Sequence, residues 1–131
     1  MKKEEIVDAI ILVNNLGINT EIKKILIRSL LWIYTERNKK YTTGFETEKA
    51  REIKSLYPKN LWQKYLNHEH YVSLKNLINR IIDSKSDNKI KQILKDAKGI
   101  VITKEEHKLL NHKLEGDEKY KEARVKILEN I

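Results

Sequence analysis

The residues of this sequence best suited to chemistry are its four histidines, which fall in two groups: His68 and His70 around Glu69, and His107 and His112 after Glu106. Imidazole titrates near neutral pH and ligates divalent metals, and an adjacent carboxylate adds a hard oxygen donor or a proton partner. On a strand alternate residues share a face, so His68 and His70 would project together, opposite Glu69. On a helix His107 shares a face with Asn111, four positions on, whereas His112, five positions on, does not align with it. That spacing allows one histidine of the second group to meet the first. The commoner fate of a histidine beside a core is partial burial with a backbone hydrogen bond, and His70 and His107 fit that description as well.

Other chemistries are excluded by composition. The chain has no cysteine, so disulfides, thiolate zinc sites and a cysteine nucleophile are absent. Its four glycines, at 17, 44, 99 and 116, are isolated, so no phosphate-cradling loop or dinucleotide fingerprint is present. No serine sits in a nucleophile-elbow context.

The elements that must position the histidines are mostly helical. Ile6, Ala9, Ile10 and Val13 recur at helical spacing, and Gly17 ends that helix. Thr20 caps a second helix, running to about Asn38, whose expected buried face is Ile22, Ile25, Leu26, Leu30 and Ile33. Ile27, Leu31 and Tyr34 broaden that stripe to most of the circumference, which suits a central helix or one covered by a second copy of the chain. Residues 41 to 45 read as a connection. Thr47 caps a helix carrying Ala50, Ile53, Leu56 and Tyr57, and Pro58 ends it. Leu61, Trp62, Tyr65 and Leu66 form a short helix, its aromatics assigned to the core rather than to a base-stacking platform.

Short strands are expected near residues 69 to 73 and at Ile100-Val101-Ile102, and these two should pair. Between them lie a helix marked by Leu74, Leu77, Ile78, Ile81 and Ile82 and another marked by Ile90, Ile93, Leu94 and Ala97. Thr103-Lys104-Glu105-Glu106 is a capping box opening a helix through Leu109, Leu110 and Leu114. Tyr120, Ala123, Ile127 and Leu128 predict a last helix. The fold class is mainly α with two short β segments, in a single domain over 1–131 with a helical part at 1–66 and a second part at 67–131.

Glu69-His70-Tyr71-Val72-Ser73, then a helical stretch, then Ile100-Val101-Ile102 and Thr103-Lys104-Glu105-Glu106-His107, together resemble the HNH (ββα-metal) nucleases and HNH-like proteins of bacterial and phage genomes, over about residues 62 to 114. The resemblance implies a ββα-metal core, His70 as general base, Glu69 and His107 as metal ligands, a divalent metal as cofactor and Asn88 as the residue that orients His70. Ser73 stands where the motif commonly has proline.

Lys and Arg total 27 against 19 acids, for a net charge of +8, which favours polyanions or acidic protein surfaces. Residues 21 to 40 hold six basic and two acidic side chains, so Lys23, Lys24, Arg28, Arg37, Lys39 and Lys40 are the candidate binding surface for nucleic acid or a partner. Only five basic residues are Arg, the residue that grips phosphate and guanine bidentately, which disfavours sequence-specific recognition. No apolar stretch approaches a membrane span and the N-terminus is unlike a secretory signal, so a cytoplasmic location is expected. These features favour a small non-enzymatic binding protein of phage or mobile-element origin, without a cofactor. It would dock on nucleic acid or on a nucleic-acid-handling protein, for example as an anti-defence inhibitor. The alternatives are an HNH-like metal-dependent nuclease and a homo-oligomeric interaction module.

Overall fold

A computed structural model describes residues 2–36 and 39–129. The fold is α+β, with eight α-helices and one four-stranded mixed sheet among the described residues. The chain forms two compact units, each discontinuous in sequence: Met1–Thr35 with Val72–Ala97, and Glu36–Tyr71 with Lys98–Ile131. No helix among the described residues is long and apolar enough to cross a membrane.

The first unit is helical. It holds α1 (Lys3–Asn14), α2 (Thr20–Glu36, whose last residue passes into the second unit), α5 (Leu74–Ile82) and α6 (Asp87–Leu94). Ser73 and Ser86 cap α5 and α6 by accepting from Asn76 N and Lys89 N. Both helices bury the expected stripes, Leu74, Leu77, Ile78 and Ile81 on α5 and Ile90, Ile93 and Leu94 on α6. From α1, Ile6 and Ile10 are buried, and α1 packs on α6.

Helix α2 departs from expectation. Its buried side chains are Ile27, Leu31, Tyr34 and Thr35, whereas Ile22, Ile25, Leu26 and Ile33, the residues expected inside, are 52%, 64%, 40% and 42% exposed. A helix apolar around most of its circumference has no hydropathy signal to choose which side faces the core, and here packing selects the opposite one.

The second unit is built on the sheet, in the order β2-β3-β1-β4. Strand β2 (Leu66–His70) pairs antiparallel with β3 (Gly99–Thr103), so the two β-rich regions do pair, although the first runs from Leu66 to His70 and leaves Tyr71, Val72 and Ser73, expected in it, outside the strand. Strand β1 (Phe45–Thr47) lies parallel to β3, and β4 (Ile127–Glu129) antiparallel to β1. Neither β1 nor β4 was expected. The predicted last helix stops at Glu122 as α8 (Gly116–Glu122), the backbone turns at Arg124 with φ +57°, and Ile127 and Leu128 enter the sheet. Strand β1 forms on the free edge of β3, and β4 in turn on the edge of β1, because each edge presents backbone groups that need partners.

One face of the sheet packs Leu66 and Val101 against Ala50 of α3 (Glu48–Leu56), with Ile53 and with Trp62 of α4 (Trp62–Tyr65) partly covering them. The other packs Ile100 and Ile102 against Leu110 and Tyr120. Tyr57 and Tyr65 are half-buried and stack on each other, their ring centroids 4.5 Å apart.

Parallel neighbours β1 and β3 each end in a threonine that caps the next helix. Thr47 accepts from Ala50 N to start α3, and Thr103 accepts from Glu106 N to start α7 (Lys104–Leu109). Buried Glu106 joins the two: its Oε1 accepts from Thr103 N at 3.0 Å and from the Thr47 hydroxyl at 2.6 Å. Glu106→Ala leaves both donors buried without an acceptor and should cost about 3 kcal/mol, at roughly 1.5 kcal/mol per donor. Glu106→Gln keeps an acceptor oxygen and should cost less. Urea unfolding of the two variants measures the difference.

Candidate metal centre

Glu69 occupies the fourth position of β2, an edge strand, opposite Ile100 of β3. Strand alternation puts its side chain on the Ile100–Ile102 face and the side chains of His68 and His70 on the Leu66–Val101 face. The capping box of α7 then sets the position of His107, one residue beyond Glu106. His107 Nδ1 lies 2.7 Å from Glu69 Oε2, a hydrogen bond that an ionised carboxylate accepts from the ring N–H.

His112 also reaches Glu69, its Nδ1 being 3.5 Å from Oε1. The expected spacing rule failed here because α7 is shorter than predicted. It ends at Leu109, and Leu110 takes an extended conformation with ψ 134° while burying its side chain against Ile100 and Ile102. The turn that follows returns His112 to the same carboxylate, so the two imidazole centroids stand 4.8 Å apart although helical periodicity would separate them. By the same token Asn111 does not continue the helix face of His107.

The three ligand atoms offered by Glu69, His107 and His112 lie within 4.8 Å of one another. The carboxylate is largely buried, its side chain 14% exposed, while the two histidines are 40% and 49% exposed. A largely buried acid with two half-exposed imidazoles leaves coordination positions on the solvent side. This donor set fits a borderline ion such as zinc, nickel or manganese better than calcium or magnesium, which prefer all-oxygen shells. Sequence reasoning named Glu69 and His107. It set His112 aside, and only the point where α7 stops could have recovered it.

A lysine supports the strand end. Lys119 of α8 is buried and its Nζ donates to the His70 carbonyl at 2.9 Å. Burial lowers its pKa, opposed by the nearby carboxylates of Glu69 and Glu115. Burial first, then the charge of Glu69, raises the Tyr120 hydroxyl far above the usual phenol range, so it stays protonated. Gly116, with φ +61°, starts α8 by donating its N–H to the Tyr71 carbonyl, and a Cβ there would stand 3.4 Å from the Tyr71 ring. Asp117 accepts from the Tyr71 hydroxyl.

The remaining candidates are dispersed. His70 and His68 pack edge to face, centroids 5.3 Å apart, on the face opposite Glu69. His68 Nδ1 contacts the Lys40 carbonyl at 2.7 Å, and burial lowers its pKa despite that contact. Asn88 lies in the first turn of α6, in the helical unit. Of the basic candidates, Lys23 donates to the Asn14 carbonyl and Lys24 pairs with Glu21 at 3.7 Å, while Arg28 is exposed. Lys39 and Lys40 are exposed and belong to the sheet unit, and Arg37 lies outside the described residues.

No protein-family model matches the chain, and no curated protein or solved structure matches it significantly. Zinc binding by calorimetry should therefore be decided by the local donor set. His107→Ala and His112→Ala should each weaken it by more than the roughly 10- to 100-fold that losing an outer-shell partner costs. His70→Ala should leave zinc affinity unchanged.

Proposed function

We propose that the protein is a non-enzymatic, metal-assisted nucleic-acid-binding module. The observation that carries this is the meeting of Glu69, His107 and His112 at one point while His70, the general base that an HNH-like site would require, projects from the other face of the same strand. A divalent ion held there supplies a Lewis-acid contact to a phosphate oxygen. Glu69, fixed by β2, anchors the donor set, and His107 and His112 complete it. Lys119 holds the end of β2 through the His70 carbonyl. Lys108 and Lys113, each the exposed neighbour of a ligand histidine, draw the phosphate backbone toward the opening. With few arginines to read base edges, the recognition is of backbone charge rather than sequence.

One observation favours a second reading, a metal-dependent nuclease. Antiparallel β2 and β3 followed directly by α7, with ligands on the first strand and the helix, have the order of a ββα-metal core.

Binding of a duplex oligonucleotide, followed by fluorescence anisotropy with and without zinc or manganese, distinguishes the two. Metal should tighten binding, and affinity should fall steeply with salt, the log–log slope being about 0.9 per phosphate contact. His70→Ala should bind normally, Lys108→Glu with Lys113→Glu should bind weakly, and His107→Ala with His112→Ala should lose the metal-dependent part. Robust metal-dependent cleavage by purified protein, abolished by His107→Ala and by His112→Ala with the fold intact, would replace the binding function with the nuclease. Binding that ignores salt and metal would remove both.

A further inference from the structure

Among the described residues, eight of the eleven exposed large hydrophobic side chains fall between Leu12 and Ile33. Five of the eight are on α2: Ile22, Ile25, Leu26, Trp32 and Ile33. With Ser29 between them they recur at three- and four-residue spacing and form an outward stripe, opposite the side that carries buried Ile27, Leu31 and Tyr34. Patches of this kind mark interaction surfaces on folded proteins.

The stripe is its own complement under a two-fold rotation. Ser29 sits at its centre; three positions away on either side are Leu26 and Trp32, four positions away Ile25 and Ile33. Antiparallel packing of α2 on a second α2 therefore places Ile25 against Ile33 and Leu26 against Trp32 twice over, the isologous contact of a symmetric dimer. Ser29 is small, which lets the helices approach at the axis, and its hydroxyl already donates to the Ile25 carbonyl, so covering it leaves no donor unsatisfied. The helix dipoles of an antiparallel pair oppose. None of the five stripe residues is charged, so the stripe itself offers nothing to a polyanion.

We infer that the protein is a symmetric homodimer assembled through antiparallel pairing of the outward face of α2 about Ser29. The pairing is independent of the Glu69 cluster and stands or falls separately from it.

Because the chain contains no cysteine, the axis can be tested directly. Full-length protein should show the mass of two chains by light scattering, and Ile25→Glu with Ile33→Glu should show the mass of one with an unchanged helical circular dichroism spectrum. Mild oxidation should cross-link Ser29→Cys to a covalent dimer much faster than Lys75→Cys, a control at an exposed position on α5. Ile22→Cys, whose symmetry mate is Glu36, should cross-link slowly alone and rapidly in combination with Glu36→Cys. A single-chain mass for the wild type, a dimer that survives the double glutamate variant, or Ser29→Cys cross-linking no faster than Lys75→Cys would each overturn the proposal. The cysteine variants keep the test decisive if the glutamate variant fails to fold.

Discussion

The sheet unit depends on one buried carboxylate. Glu106 accepts from the Thr103 backbone and the Thr47 hydroxyl, so the C-terminal ends of parallel strands β3 and β1 are held to each other through a single side chain. Each threonine in turn caps a helix, which makes the direction of α3 and α7 a consequence of the same contact. Polar groups this deep are costly unless all are satisfied, and here the network is reciprocal: hydroxyl, amide and carboxylate each have a partner. The site inherits its precision from this arrangement. His107 follows Glu106, so a carboxylate that locks the first turn of α7 also fixes how its neighbour meets Glu69.

Around Glu69 the structure gathers charge that has no role in the hydrophobic core. The acid is held at the edge of the sheet, with two histidines on its solvent side and the buried Lys119 ammonium nearby bound to the His70 carbonyl. Such a cluster is coherent without a metal, since an imidazole N–H can satisfy the carboxylate, and it becomes a ligand set when both rings present lone pairs. Strand alternation divides the chemistry: Glu69 takes one face of β2, and His68 and His70 the other, where they pack against each other.

In the helical unit, α2 has apolar residues on both sides, and only one side is used by the fold. Burial of Ile27, Leu31 and Tyr34 leaves Ile22, Ile25, Leu26 and Ile33 facing out. Exposed Leu12, Leu16 and Ile18, from the end of α1 and the turn that follows, lie in the same stretch of sequence.

By itself the sequence determined the elements that rest on local physics. The caps at Thr47 and Thr103, the stripes of α5 and α6 and the β-branched Ile100-Val101-Ile102 were all legible. Each follows from hydrogen-bond chemistry or periodicity within a few residues. Strands β1 and β4 were not legible, because three-residue strands carry no periodic signal and exist only where a neighbouring strand offers unpaired backbone. The side of α2 that faces inward was not legible either, since both sides are equally apolar. Nor was the recruitment of His112, which depends on α7 stopping at Leu109 so that Leu110 can bury itself on the sheet. Tertiary packing decided these because burial of a side chain like Leu110 outweighs the few tenths of a kcal/mol by which local propensity favours another turn of helix.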